Sequence, residues 1–122
     1  MGQRTVGGNR GCLPERTDGF VSSWAQYTVQ LSEKIDRAQF QDELKKEDIP
    51  TMIYYRKPMH KQGAFAGTDS AKADYPVTER LCETVLSLPM HPYMTEEMVD
   101  NVADAIKRVN VDNRYNQALP LL

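Results

Sequence analysis

Residues 49–65, IPTMIYYRKPMHKQGAF, bring together side chains of the types that bind polar ligands. Tyr54 and Tyr55 each offer an aromatic face for stacking and a hydroxyl group for hydrogen bonding. Arg56 or Lys57 could meet a diphosphate or a carboxylate, and arginine is better suited to a two-pronged contact. The stretch therefore has the composition of a ligand-binding loop.

The same stretch also fits a structural interpretation. Residues 51–55, TMIYY, are rich in β-branched and aromatic side chains and predict a short strand after Pro50. Neighbouring strand residues face opposite sides, so one of Tyr54 and Tyr55 would then lie in the core. On this interpretation the basic residues that follow are simply solvated.

The composition of the chain restricts its partners. The 122 residues carry a formal net charge of -2, which argues against nucleic acid or an anionic membrane because phosphate-tracking surfaces are usually basic. The length favours one domain with a real core. No stretch approaches the roughly 18 consecutive apolar residues of a membrane span. The N-terminus, MGQRTVGGNRG, lacks the apolar segment of a signal peptide, so we expect a cytoplasmic protein.

Cysteine and histidine usage predicts neither a disulfide framework nor a metal site. Cys12 and Cys82 are far apart and form no CxxC pattern, so we expect free thiols in a reducing compartment. His60 and His91 each occur in a PMH tripeptide, but no carboxylate or cysteine is spaced with them as metal ligands require. We therefore expect no bound metal.

Hydrophobic periodicity and capping residues predict the first strand and two of the helices. In residues 22–31, SSWAQYTVQL, apolar residues alternate as in a strand with one buried face. Asp36 as N-cap, with Gln39 three residues later, predicts the start of a helix. Thr95 as N-cap, an acidic first turn and a basic last turn predict another helix over 95–109.

The remaining elements complete an α+β order. They are strand 51–55, a polar connection over 61–75, a helix that begins at Pro76 and strand 85–89. In that helix Val77, Leu81 and Val85 mark the predicted apolar side, and Glu79 is predicted to face outward. The order β-α-β-loop-α-β-α predicts a small open sheet of about three strands covered by helices. Residues 1–20 predict a flexible arm, 21–109 the domain and 110–122 a tail.

Three segments together resemble a known family. In order and spacing, SSWAQYTVQL, IPTMIYYRKPMHKQGAF and YPVTERLCETVLSLPMHPYMTEEMVDNVADAI are similar to the C-terminal domain of the DegT/DnrJ/StrS sugar aminotransferases. Members of that family use pyridoxal phosphate to aminate a keto-sugar carried on a nucleotide. The WAQYT strand resembles most the members that act on UDP-linked amino sugars. The resemblance implies the small domain of a fold-type-I aminotransferase.

The resemblance also implies roles for individual residues. In the family, the loop after the second strand lies over the active site, which makes Tyr54, Tyr55, Lys57 and His60 the substrate-binding candidates by position. Trp24 becomes an interface residue, because one side of this domain packs against a large domain and a partner subunit in the family. We expect no catalytic residue in the chain.

The family's large, cofactor-binding domain has no counterpart in these 122 residues, and no lysine here matches its cofactor-lysine motif. We therefore expect that the chain alone holds no pyridoxal phosphate and is not catalytically competent. Its expected partners are a second copy of itself or a separately encoded large domain. The alternative is a nucleotide-sugar-binding or regulatory module, or one half of a split aminotransferase.

Overall fold

A computed structural model describes residues 13–14 and 17–111, the last two by their backbone alone. Most of the predicted arm, including Cys12, and the predicted tail beyond residue 111 lie outside the described residues. The elements are, in chain order, β1 (Tyr27–Gln30), α1 (Arg37–Lys46), two 3₁₀ turns (Met59–Lys61 and Gly63–Phe65), α2 (Asp69–Lys72), α3 (Pro76–Thr84), β2 (Val85–Leu88) and α4 (Glu96–Val111). Within the described residues no helix is long and apolar enough to cross a membrane.

The sheet contains the two strands β1 and β2, which run antiparallel with Thr28 opposite Ser87. The predicted alternation in the first strand is confirmed from Val29 onward: Val29 and Leu31 are buried on the core side. On the other side, the hydroxyl oxygens of Thr28 and Ser87 lie 2.8 Å apart and form a hydrogen bond across the strands. One face of the sheet is therefore apolar and packed, and the other is polar.

The predicted third strand at 51–55 is wrong. In this segment Met52 alone pairs with β2, through hydrogen bonds from its N–H to the Ser87 carbonyl (3.0 Å) and from the Ser87 N–H to its own carbonyl (2.8 Å). The preceding carbonyl, of Thr51, accepts instead from the side-chain amide of Gln41 (3.0 Å). The chain bends two residues after the bridge, so the ladder stops after one residue and β2 lies between β1 and this bridge.

The predicted starts of α1 and α4 are confirmed by their caps. The Asp36 carboxylate accepts a hydrogen bond from the Gln39 N–H (3.0 Å), and the Thr95 hydroxyl accepts one from the Met98 N–H (3.2 Å). Each cap satisfies an N–H group that the first helical turn leaves without an intrahelical partner. Capping residues in the sequence thus fixed where both helices begin.

The core lies between α1, α4 and the apolar face of the sheet. Phe40 and Leu44 of α1, Leu86 of β2 and Ala105 of α4 have no exposed surface, and Ile106 is nearly as buried. Truncating a buried phenylalanine to alanine costs about 3–5 kcal/mol. Packing of these side chains therefore holds α1 and α4 on one face of the sheet.

The helix predicted from Pro76 is confirmed, but its predicted apolar side is wrong at Val77. Val77 is 60% exposed, whereas Cys82 and Thr84 are buried. The buried residues belong to the last turn of α3, which passes directly into β2. The first turn lies away from the core, and its Glu79 side chain contacts His60 and Lys61.

The predicted polar connection over 61–75 is more ordered than a loop. It contains the second 3₁₀ turn and α2. Thr68 caps α2, because its hydroxyl accepts a hydrogen bond from the Ala71 N–H (3.3 Å) and donates one to the Phe65 carbonyl (2.7 Å). Local side-chain contacts of this kind are invisible to hydrophobic periodicity.

Candidate functional site

The two tyrosines of the candidate loop both face solvent. Tyr54 is 54% exposed and Tyr55 is 66% exposed, so the interpretation that one of them lies in the core is wrong. Lys57 is also exposed. The chain bends after the bridge to β2, so Tyr54 and Tyr55 are not in a strand and their side chains need not alternate between two faces. The loop therefore presents two aromatic rings and a cation to an incoming molecule.

A groove of about 260 Å³ adjoins Tyr54. Its walls include Gln26 before β1, Thr51 and Met52 before the loop, and His91 after β2. The Thr51 hydroxyl is buried and has no hydrogen-bond partner among the described residues. A larger depression of about 630 Å³ is lined by α1 alone and is the open surface of one helix. Sequence reasoning missed the groove because its walls come from segments far apart in the chain.

His60, the fourth predicted substrate contact, is buried, unlike Tyr54, Tyr55 and Lys57. It is 8% exposed, and its Nε2 lies 3.0 Å from Oε1 of Glu79. The ring of Tyr75 packs over it, with ring centroids 4.7 Å apart. The structure therefore separates Tyr54, Tyr55 and Lys57 on the surface from His60 beneath it. Contact of all four with substrate stays a prediction.

Glu79 is more enclosed than its predicted outward position suggests. Its side chain is 29% exposed, and its second oxygen, Oε2, lies 2.6 Å from Nζ of Lys61. The hydrogen bonds from Lys61 and His60 hold the pKa of Glu79 below its ordinary value. Two neighbouring residues of the first 3₁₀ turn thus converge on one carboxylate of α3.

Trp24 lies half-buried just before β1, in a left-handed backbone conformation with φ of 47°. Its ring tilts against Tyr27, with centroids 5.2 Å apart, and burial raises the pKa of the Tyr27 hydroxyl. A positive φ is uncommon for a residue of this size. The predicted interface role of Trp24 stays a prediction.

Arg37 of α1 binds the junction between α3 and β2. Arg37 donates from Nη1 to the carbonyls of Cys82 (2.6 Å) and Val85 (3.0 Å). Its pKa is lowered by burial and then by the like charge of Arg56. The positive charge of Arg56, next to the exposed tyrosines, therefore acts on Arg37 of α1.

The described residues do not fit a self-sufficient pyridoxal phosphate site. Such a site needs a lysine enclosed in a pocket that tunes its amine. All seven lysines lie in the described part of the chain, and six of them are exposed. The seventh, Lys107, is half-buried and pairs with Asp104 at 3.0 Å. None of the lysines lines the groove beside Tyr54.

The fold and this surface define an α+β domain in which a loop of ligand-binding composition borders a helix-covered sheet. The sequence profile of the DegT/DnrJ/EryC1/StrS aminotransferase family matches residues 6–107. The chain belongs to this family, whose members are pyridoxal-phosphate-dependent.

Curated relatives match the chain over a similar span. It is 40% identical, over 96 residues, to a UDP-N-acetyl-3-dehydro-alpha-D-glucosamine 3-aminotransferase of Acidithiobacillus ferrooxidans; the match covers 79% of this chain and 25% of that protein. It is 36% identical, over 86 residues, to a UDP-2-acetamido-2-deoxy-3-oxo-D-glucuronate aminotransferase of Pseudomonas aeruginosa, covering 70% of this chain and 22% of the relative. The chain thus spans about a quarter of the length of the curated relatives that it matches.

Solved structures agree with the fold. A DegT DnrJ EryC1 StrS aminotransferase from Brucella abortus matches with a TM-score of 0.69 and 41% identity, covering 79% of this chain and 25% of that chain. A sugar aminotransferase from Micromonospora echinospora matches with a TM-score of 0.68, over 84% of this chain and 26% of its own. The latter is 23% identical and supports the fold alone.

Proposed function

We propose that this chain supplies the small-domain side of a nucleotide-sugar aminotransferase site and is not catalytically competent by itself. The observation that carries the proposal is the family match over residues 6–107, which spans about a quarter of full-length relatives. The position of the lysines supports it, because none of them is enclosed beside the candidate loop. The cofactor would be held by the large-domain sequence of the family.

The substrate class that we propose is a UDP-linked amino sugar with a keto group. Two of the relatives carry names that specify such substrates. Tyr54 and Tyr55 can stack on a base or a sugar ring, and Lys57 can pair with a diphosphate. The exposure of all three side chains supports this role.

The test of competence is covalent labelling by the cofactor. The purified chain is mixed with a low concentration of pyridoxal phosphate, reduced with borohydride and examined by intact-mass spectrometry and peptide mapping. We expect sparse labelling spread over several lysines, because exposed amines react weakly and without preference. Stoichiometric labelling of one lysine would show a self-sufficient site and would overturn the proposal.

A second candidate function, a binding module for nucleotide sugars, is favoured by the exposed loop and its adjoining groove. A ligand at 100 times its dissociation constant stabilises a protein by about 2.7 kcal/mol. For a chain with this second function, we expect UDP-N-acetylglucosamine to raise the melting temperature. The Tyr54→Ala variant should lose that shift, and Tyr93→Ala should keep it, since Tyr93 is 85% exposed and does not line the groove. The absence of a shift in the unchanged chain would remove support for this second function.

A further inference from the structure

We propose that Glu79 is a positioning residue that fixes the far end of the candidate substrate loop through His60 and Lys61. These three residues are called the Glu79 anchor below. Glu79 lies on α3, and its two partners lie in the first 3₁₀ turn, Met59–Lys61. The importance of the loop for substrate rests on the proposed function, whereas the anchor itself is a property of the chain and is tested without ligand.

The geometry of the carboxylate supports the anchor. Oε1 of Glu79 lies 3.0 Å from Nε2 of His60, with which it forms a hydrogen bond, and Oε2 pairs with Nζ of Lys61 at 2.6 Å. Because His60 is 8% exposed and Tyr75 packs on its ring, water has little access to replace the carboxylate. A buried polar nitrogen without a partner is costly, so the turn is held to α3 where Glu79 is present.

The backbone of the turn gives it no comparable attachment in the described part of the chain. The backbone hydrogen bonds found there are local: Lys61 N–H donates to the Pro58 carbonyl and Gln62 N–H to the Met59 carbonyl, each at 3.0 Å. Such bonds shape a turn without tying it to another element. Within the described residues, the hydrogen bonds that tie the turn to α3 therefore come from the side chains of His60 and Lys61.

The loop that carries the exposed tyrosines is thus held at two ends. At its beginning, Met52 pairs with Ser87 of β2 through two backbone hydrogen bonds. At its end, the Glu79 anchor holds the turn that follows Lys57. Between these attachments the side chains of Tyr54, Tyr55 and Lys57 are exposed. Releasing either attachment should let the segment move while the core stays packed.

This arrangement gives His60 a role different from substrate contact. Its Nε2 is already engaged by Glu79, and little of its surface is accessible. We infer that His60 acts through the loop and not on the ligand. Substitution of Glu79 or of His60 should then loosen the same segment. The double substitution should add little to the effect of the Glu79 substitution, because that change already removes the contact between Glu79 and His60.

The test is amide hydrogen exchange on the complete 122-residue chain, with Glu79→Gln as the perturbation. The amides of Lys61 and Gln62 report on the turn, and that of Leu31, which donates to the Thr84 carbonyl at 2.9 Å, reports on the core. We expect the turn amides to exchange about tenfold faster while the core amide is unchanged. The matched control is Glu83→Gln, which removes the same charge from an exposed position four residues further along α3.

The outcomes separate the anchor from its alternatives. Acceleration of the turn amides in Glu79→Gln and His60→Gln, and not in Glu83→Gln, supports the anchor. Wild-type exchange of the turn in Glu79→Gln would overturn it, as would equal acceleration of turn and core, which would make Glu79 a general stability residue. No nucleotide sugar enters the experiment, so failure of ligand binding would count against the proposed function and not against the anchor.

Discussion

Arg37 joins α1 to the point where α3 passes into β2. Its Nη1 donates to the Cys82 and Val85 carbonyls at 2.6 and 3.0 Å. The substitution Arg37→Met keeps much of the aliphatic length and removes both donors. A hydrogen bond from a charged donor contributes about 1.5–3 kcal/mol, but Arg37 is half-buried, so water offsets part of the loss. We expect the free energy of unfolding to fall by about 2 kcal/mol.

The assay is urea unfolding followed by far-UV circular dichroism at neutral pH. Arg37→Lys should show an intermediate loss, because one ammonium group cannot reproduce the paired geometry. The control is Arg80→Met: Arg80 is 48% exposed, with Nε 4.0 Å from Glu33. Its removal should change the free energy of unfolding by less than about 0.5 kcal/mol. Equal effects of Arg37→Met and Arg80→Met would refute the assignment of Arg37 as a structural tie.

Three further predictions concern burial, charge and association. Thr51→Val should leave the free energy of unfolding unchanged or raise it by up to about 1 kcal/mol, because the hydroxyl is buried without a partner among the described residues; a comparable loss in urea unfolding would contradict this. Glu79 faces Lys61 and His60, whose hydrogen bonds lower the pKa of its carboxyl group. Its stabilisation is therefore fully present above the unfolded pKa of about 4.3 and is lost as the pH falls through the lower folded value. The difference in unfolding free energy between wild type and Glu79→Gln should shrink with acidification, and a constant difference would be evidence against the lowered pKa. Light scattering should show a homodimer or larger species, since apolar side chains line the exposed groove; a monomer at high concentration would argue against self-association.

Elements specified by local chemistry could be predicted from the sequence. The helices α1 and α4 begin where Asp36 and Thr95 provide capping oxygens, and β1 follows its alternating pattern. Helix caps and periodicity depend on residues only a few positions apart, so the sequence displays them directly. The family resemblance, carried by three long segments, was confirmed over residues 6–107.

Two of the failures involve contacts between segments that are apart in the chain, whereas the order within 61–75 comes from the local Thr68 contacts. The composition of 51–55 favours a strand, but the length of a strand depends on which groups bond to its backbone. Here the Gln41 side chain donates a hydrogen bond to the Thr51 carbonyl. Likewise, Glu79 looks like a surface residue on its own helix, and its pairing with His60, 19 residues away, requires the folded chain. Tertiary contacts of this kind override local preference.

The pairing of β1 with β2 also constrains the order of folding. Thr28 and Ser87 are 59 residues apart in the chain, so forming the sheet closes a long loop at an entropic cost of about 3.6 kcal/mol before any constant. During synthesis, β1 and α1 emerge well before the strand that completes their sheet. Without β2, β1 has no strand to pair with among the described residues, and the side chains of Phe40 and Leu44 lack part of the core that covers them. We therefore expect slow sheet formation set by this long-range closure, and an aggregation-prone interval while the ribosome has yet to release residues 85–88.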